Sequence, residues 1–162
     1  MLEGAPSVPL SPITASIDQR GARFEPEMLV VPVGSTVQFP NDDPIFHNVF
    51  SLSGARSFDL GYYPKGQSRN VKFDRPGVVQ IYCHIHSSMY AAIVVTPSRW
   101  SGKPSESGAF DWSGIPAGHY QVVAWHKIAG FRRAKVDVPE NGVANVTIAI
   151  PVDSPSNEDV QR

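Results

Sequence analysis

The sequence predicts an all-β fold, on three observations. Fifteen prolines and thirteen glycines are spread through 162 residues, and they interrupt every stretch long enough to hold a helix. Short runs at 13–17, 28–31, 36–39 and 91–95 are rich in β-branched residues or alternate polar with apolar side chains. Turn-forming clusters such as Pro32-Val33-Gly34-Ser35, Pro64-Lys65-Gly66 and Asp74-Arg75-Pro76-Gly77 separate those runs.

Taken in order, residues 1–12 are rich in Pro, Ser and Gly and read as a flexible arm. Strands over 13–17, 28–31 and 36–39 follow, with Val37 and Phe39 facing inward. Asn41-Asp42-Asp43-Pro44 reads as a turn, and His47 follows it. Residues 51–66 are the least regular part, with a short strand over 58–63. Residues 67–73 form the next strand. In the strand over 78–83, alternation sets Val79, Ile81 and Cys83 on one face and Val78, Gln80 and Tyr82 on the other. Residues 91–95 close this part of the chain, and 97–107 have linker composition. Beyond the linker come a strand over 120–126 and a hairpin of 134–138 with 143–150. The hairpin is expected because Asn141-Gly142 between them is a strong turn signal.

Composition narrows the function. Hydrophobic residues make up 41% of the chain, enough for a packed core. Fourteen basic residues nearly balance fifteen acidic ones, and no basic stripe points to nucleic acid. No run of 18 apolar residues suits a membrane span. Residues 1–6 show neither a basic n-region nor an apolar h-region, so no signal peptide is read there. A single cysteine excludes an internal disulfide, a Cys-rich zinc site and a pair of bridging thiolates. No Ser/His/Asp arrangement, paired acid or phosphate loop suggests an enzyme.

The chemistry is concentrated in Tyr82-Cys83-His84-Ile85-His86-Ser87-Ser88-Met89-Tyr90, which holds the one thiol, two imidazoles and a thioether. Two His and one Cys with a weak axial Met form the ligand set of a blue-copper site. Cys83, His86 and Met89 supply three of those ligands, and His47 is the candidate for the fourth. A lone Cys-x-x-His is a weak signal, since a buried cysteine is commonly just a small hydrophobe. Four ligand types in order, each at the edge of a strand, say more. A tetrahedral zinc site of His47, Cys83, His84 and His86 is the competing drawing. A strand continued through residue 84 would turn His84 away from Cys83; a separate, weaker surface metal site at His84 stays open. His119 and His126 have no carboxylate or cysteine at ligand spacing and read as structural.

An early His47-Asn48 followed by Tyr82-Cys83-x-x-His86-x-x-Met89 resembles the cupredoxin family, its amicyanin- and plastocyanin-like members above all. Phe24-Glu25-Pro26, Pro32-Val33-Gly34 and Phe73-Asp74-Arg75-Pro76-Gly77 extend the resemblance over about residues 13–95. It implies a Greek-key β-sandwich holding one type 1 copper ion on His47, Cys83, His86 and Met89. His47 would lie inside, and His86 would sit at the edge as the electron port, ringed by Pro44, Ile45, Ile85 and Met89. Asn48 would tie the His47 loop to the Cys83 loop. The implied function is electron transfer, Cu(II)/Cu(I), with redox partner proteins outside the cytoplasm, in the periplasm, the chain being a mature or trimmed form. A copper-handling protein that stores, delivers or senses the ion is the alternative; a copper enzyme would need an open coordination position.

Phe110 and the run Gly114-Ile115-Pro116-Ala117-Gly118-His119-Tyr120 resemble a carboxypeptidase regulatory-like, transthyretin-like β-sandwich module. Bacterial plastocyanin-like proteins, often labelled methylamine-utilisation proteins, join these two parts in this order. Four strands are found where such a module has about seven. The sequence leaves open whether it is a complete domain or is completed by other strands, such as the arm before Ile13. The expected organisation is an arm (1–12), a copper-binding domain (13–97), the small β module (98–152) and a polar tail (153–162).

Overall fold

Thirteen short strands and no helix make up the regular structure of residues 1–151, the part that the computed structural model describes. The expected tail at 153–162 lies outside the described residues. In chain order the first strands are β1 (Leu2–Glu3), β2 (Thr14–Ser16), β3 (Asp18–Gln19), β4 (Phe24–Glu25) and β5 (Met28–Pro32). Then come β6 (Ser35–Pro40), β7 (His47–Ser53), β8 (Arg56–Tyr63) and β9 (Ser68–Phe73). The last four are β10 (Gly77–Tyr82), β11 (Tyr90–Thr96), β12 (Gly118–His126) and β13 (Gly130–Val138). The fold is all-β.

The chain divides into two compact units. In the larger, Ser7–Phe110, a five-stranded sheet runs β5-β11-β10-β7-β8 and a three-stranded sheet runs β2-β6-β9. Their inner faces share one core. Val31, Val49, Val79, Ile81, Ile93 and Val95 come from the first sheet, and Val37, Phe39, Val71 and Phe73 from the second. Strand alternation explains the choice: β6 buries Ser35, Val37 and Phe39 and turns Thr36, Gln38 and Pro40 outward. Completely burying each of these apolar side chains contributes about 1.5–3 kcal/mol, so this interface is the main source of the unit's stability.

Two differences from the sequence reading have physical causes. No strand is expected over 47–53, yet β7 runs there; at 51–53 no alternation is visible because Ser51 is buried and Leu52 exposed. Its partner β8 makes it a strand, through pairs from His47↔Tyr63 to Ser53↔Arg56. The pairing register shifts between Asn48 and Phe50, opposite Leu60 and Gly61. Gly61 takes φ +66°, a conformation most side chains resist.

The second difference is in the smaller unit, which joins Met1–Pro6 to the described residues from Asp111 onward. Its hairpin is β12–β13, paired from Gly118↔Val138 to His126↔Gly130, with Gly130 at φ +64° beside the turn. The Asn141-Gly142 hairpin does not form, and residues 143–150 hold no strand. A turn signal is a local preference; without a partner strand and a face to bury it does not make a ladder. β1, within the span read as an arm, pairs with β12 through Leu2↔Val122.

Candidate metal centre

The core sheet delivers the cysteine. β10 buries Val79 and Ile81 between the sheets, and Cys83, one residue past its end, continues that face and is buried. His47 opens β7 and shares the inward face with Val49; both are fully buried. Past Cys83 the chain turns, and the Met89 N–H donates to the His86 carbonyl at 3.0 Å. That turn returns His86 to the cysteine and drops Met89 into the core.

His47, Cys83 and His86 thus converge. Their donor atoms all lie within 4.8 Å of one another. The two Nδ1 atoms stand 3.1 Å apart, and Cys83 Sγ is 3.9 Å from His86 Nδ1. The rings meet edge to face, with centroids 4.8 Å apart. Nitrogen atoms this close repel unless a proton or a cation lies between them, and they can share one ion at metal–imidazole bond lengths of roughly 2.0 Å. A thiolate with two imidazoles suits copper, and the thioether of Met89, three residues past His86, is fully buried in the core cluster that holds Cys83. His47 is buried, and His86 is partly exposed.

The wall behind His47 is polar and hydrogen-bonded through Asp43. His47 Nε2 lies 2.7 Å from Asp43 Oδ2. Asp43 Oδ1 accepts the Gly21 N–H at 2.6 Å, and Oδ2 accepts the Ala22 N–H at 2.8 Å. Both donors sit in the β3–β4 turn with positive φ, +60° at Gly21 and +52° at Ala22, the latter uncommon for a residue with a side chain. Burial pushes the Asp43 carboxyl up, but the Ala22 N–H, His47 and the Gly21 N–H outweigh it and hold it below the usual carboxylate range. An ionised carboxylate only accepts, so His47 Nε2 carries a proton, and in the neutral ring Nδ1 presents its lone pair. Asn41 fixes the loop. Its side chain accepts the Asp43 N–H and donates to the carbonyls of Ile45 and Tyr63. Burial pushes the Tyr63 phenol up to about 12, so it stays a hydroxyl and donates to the Phe39 carbonyl.

The sequence reading missed Asp43, which it took as part of a turn; a carboxylate four residues before a candidate ligand was the available signal. Its rim also changes. Ile45 and Ile85 are exposed, as is the unnamed Phe46, while Met89 is buried and belongs to the core rather than the rim. Asn48 reaches the cysteine loop only at one remove: its Nδ2 donates to Asp59 Oδ1 at 2.7 Å, and Asp59 Oδ2 lies 3.1 Å from His84 Nε2. His84 is exposed, stacks on Phe50 and is not among the converging donors. In the smaller unit, His126 Nδ1 accepts from the Ile128 N–H of the β12–β13 turn, and His119 pairs with Asp137 across the strands.

The profile of the copper binding proteins of the plastocyanin/azurin family matches residues 12–96, more than half of the chain. The chain belongs to that family. It is therefore a cupredoxin, its cofactor is copper, and its family generally serves copper electron transfer. Among solved structures, a copper-containing nitrite reductase from Thermus scotoductus is 28% identical over 57% of this chain, with a TM-score of 0.48. This chain spans only 24% of that reductase. A purple cupredoxin from Nitrosopumilus maritimus is 26% identical, with 51% of this chain and 99% of that one covered and a TM-score of 0.46. A Cu(I) amicyanin variant is 24% identical, with 51% and 82% covered and a TM-score of 0.48. No curated protein matches the sequence.

Proposed function

We propose that this cupredoxin is a mononuclear type 1 copper protein that carries single electrons between redox partner proteins. His47, Cys83 and His86 are its equatorial ligands and Met89 its axial one. The convergence of one sulfur and two Nδ1 atoms within 4.8 Å at the end of a rigid sandwich carries this reading. Bound copper would supply a one-electron Cu(II)/Cu(I) couple. The residues do the rest. The Cys83 thiol gives up its proton to become a ligand. His47 is held from behind, and the core around Val49, Ile81 and Met89 excludes water. Four ligands leave no place for a substrate, so the reading is of a carrier rather than an enzyme. The partly exposed His86 is its electron port, with Ile45, Phe46 and Ile85 as exposed apolar residues near the ligands in sequence.

Residues 13–97 form the copper-binding domain in this reading. The likeness of residues 98–152 to a carboxypeptidase regulatory-like module rests on Phe110 and the 114–120 run and is carried in the same proposal. So is an extracytoplasmic location, typical of cupredoxins; among the described residues, no helix is long and apolar enough to cross a membrane. The test is the absorption spectrum of the copper-loaded protein. An intense visible thiolate-to-copper band with a reversible potential is expected; a colourless protein that prefers zinc would refute the assignment.

A further inference from the structure

We propose that Asp43 is a positioning residue for the copper ligand His47: its carboxylate fixes the imidazole with Nε2 protonated and Nδ1 free, and favours Cu(II) over Cu(I). This deepens the ligand assignment above and rests on it. Nothing else described around the site is built this way. Asp43 is buried and ties together three elements: the β3–β4 turn through Gly21 and Ala22, the Asn41 loop through its own N–H, and the His47 ring.

The geometry leaves the ring little choice. A neutral imidazole held at one nitrogen by a carboxylate acceptor 2.7 Å away keeps its proton there, and its other nitrogen then presents a lone pair. That nitrogen is the one that faces His86 Nδ1 and Cys83. The carboxylate cannot swing away, because two backbone N–H groups hold it, Gly21 on Oδ1 and Ala22 on Oδ2. A neutral amide or carbonyl acceptor would also orient the ring. A carboxylate adds charge: it makes the imidazole a stronger donor and places a full negative charge one ring from the metal, inside the protein where water screens little. Both effects stabilise the more highly charged ion.

The experiment has two parts. Nitrogen-15 NMR of the metal-free wild-type protein reads the His47 tautomer directly; Nε2–H with an unprotonated Nδ1 is expected. An Nδ1–H tautomer would overturn the proposal, and this measurement needs no variant to fold. Voltammetry of the copper-loaded protein is then compared for wild type, Asp43→Asn and Asp42→Asn. Asp42 is next door but exposed and paired with Arg20, so its variant removes the same charge without the contact. Asp43→Asn should keep the visible band and lose at least tenfold of the preference for Cu(II), a rise of about 59 mV for a one-electron couple. Asp42→Asn should stay near wild type. A wild-type potential in Asp43→Asn, or an equal rise in both variants, would refute the role. A colourless copper-loaded wild type would sink the ligand assignment, and the potential-setting role with it. The tautomer measurement still reads the Asp43–His47 contact separately.

Discussion

Two histidine–aspartate pairs adjoin Cys83, one through a converging donor and one through the next residue in the chain, and they differ mainly in water. His47 and Asp43 stand 2.7 Å apart with side chains 0% and 9% exposed. His84 and Asp59 stand 3.1 Å apart with side chains 42% and 54% exposed. The chemistry is the same, yet burial gives the pairs different capacities. In the buried wall, an unmatched polar atom is costly, and a fixed carboxylate can impose a tautomer on the ring it holds. On the rim, solvent offers each group an alternative partner, and an exposed ion pair is worth only about 0–1 kcal/mol.

The widest separation between wall and rim should come from removing ligands. Cys83→Ser is expected to abolish the visible band, since the band requires the thiolate. His47→Ala should abolish it too. It should also destabilise the metal-free protein by on the order of 3 kcal/mol, because it opens a cavity and strips Asp43 of one donor. Absorbance after copper loading and urea unfolding of the apo form check both; retained colour in His47→Ala would mean that another residue supplies that ligand.

Met89→Leu sharpens the comparison within the core itself. The side chain stays apolar and similar in size, so folding should change by less than about 1.5 kcal/mol. Copper should remain bound, and the potential should rise as a weak donor to Cu(II) is lost. An unchanged potential by voltammetry would remove Met89 from the ligand set.

What the sequence made legible follows the range of each interaction. Cys83-x-x-His86-x-x-Met89 can be read because ligand spacing within one loop is local. Alternation over 78–83 sufficed to put Val79, Ile81 and Cys83 on one face. Asp43 stands four residues before His47, a local hint, but its rigidity was not readable, because that comes from Gly21 and Ala22, more than twenty positions earlier and joined to it only by the fold. β7 was missed for the same reason: Ser51-Leu52-Ser53 lacks a pattern, and pairing with β8 makes it a strand. At Asn141-Gly142 the opposite happened, a strong local signal with no distant partner.

Acid should weaken both pairs, the wall more than the rim. Asp43 is held below the ordinary carboxylate range despite its burial, by the Ala22 N–H, His47 and the Gly21 N–H. Asp59 is also held below it, first by the Gly61 N–H, against some desolvation, then by His84 and Asn48. A carboxyl depressed in the fold takes its proton more readily in the unfolded chain. Its stabilisation is complete above the unfolded value of about 4 and disappears as pH falls through the folded value. Thermal unfolding of the apo protein should therefore drop in Tm below about pH 4. Asp43→Asn should flatten that profile more than Asp59→Asn; the reverse order would mean that the exposed pair is the stronger one.

The smallest effect is expected at His84. Its ring stacks on Phe50 with centroids 3.9 Å apart and planes 7° from parallel, and Nε2 meets Asp59, which also holds Asn48. These contacts are on the exposed side of the loop, and His84 is not among the donors that converge with Cys83. Removing the ring forfeits a solvent-screened pair and part of a stack. It leaves Asp59 bonded to the Gly61 N–H and the Asn48 amide, so no buried group is orphaned. His84→Ala should therefore cost no more than about 1 kcal/mol and leave the visible band and the potential near wild type. His86→Ala, only two residues on, should destroy or open the site, with added imidazole partly restoring it. Colour lost in His84→Ala and kept in His86→Ala would reverse the roles of wall and rim, and would require a metal held by the exposed ring.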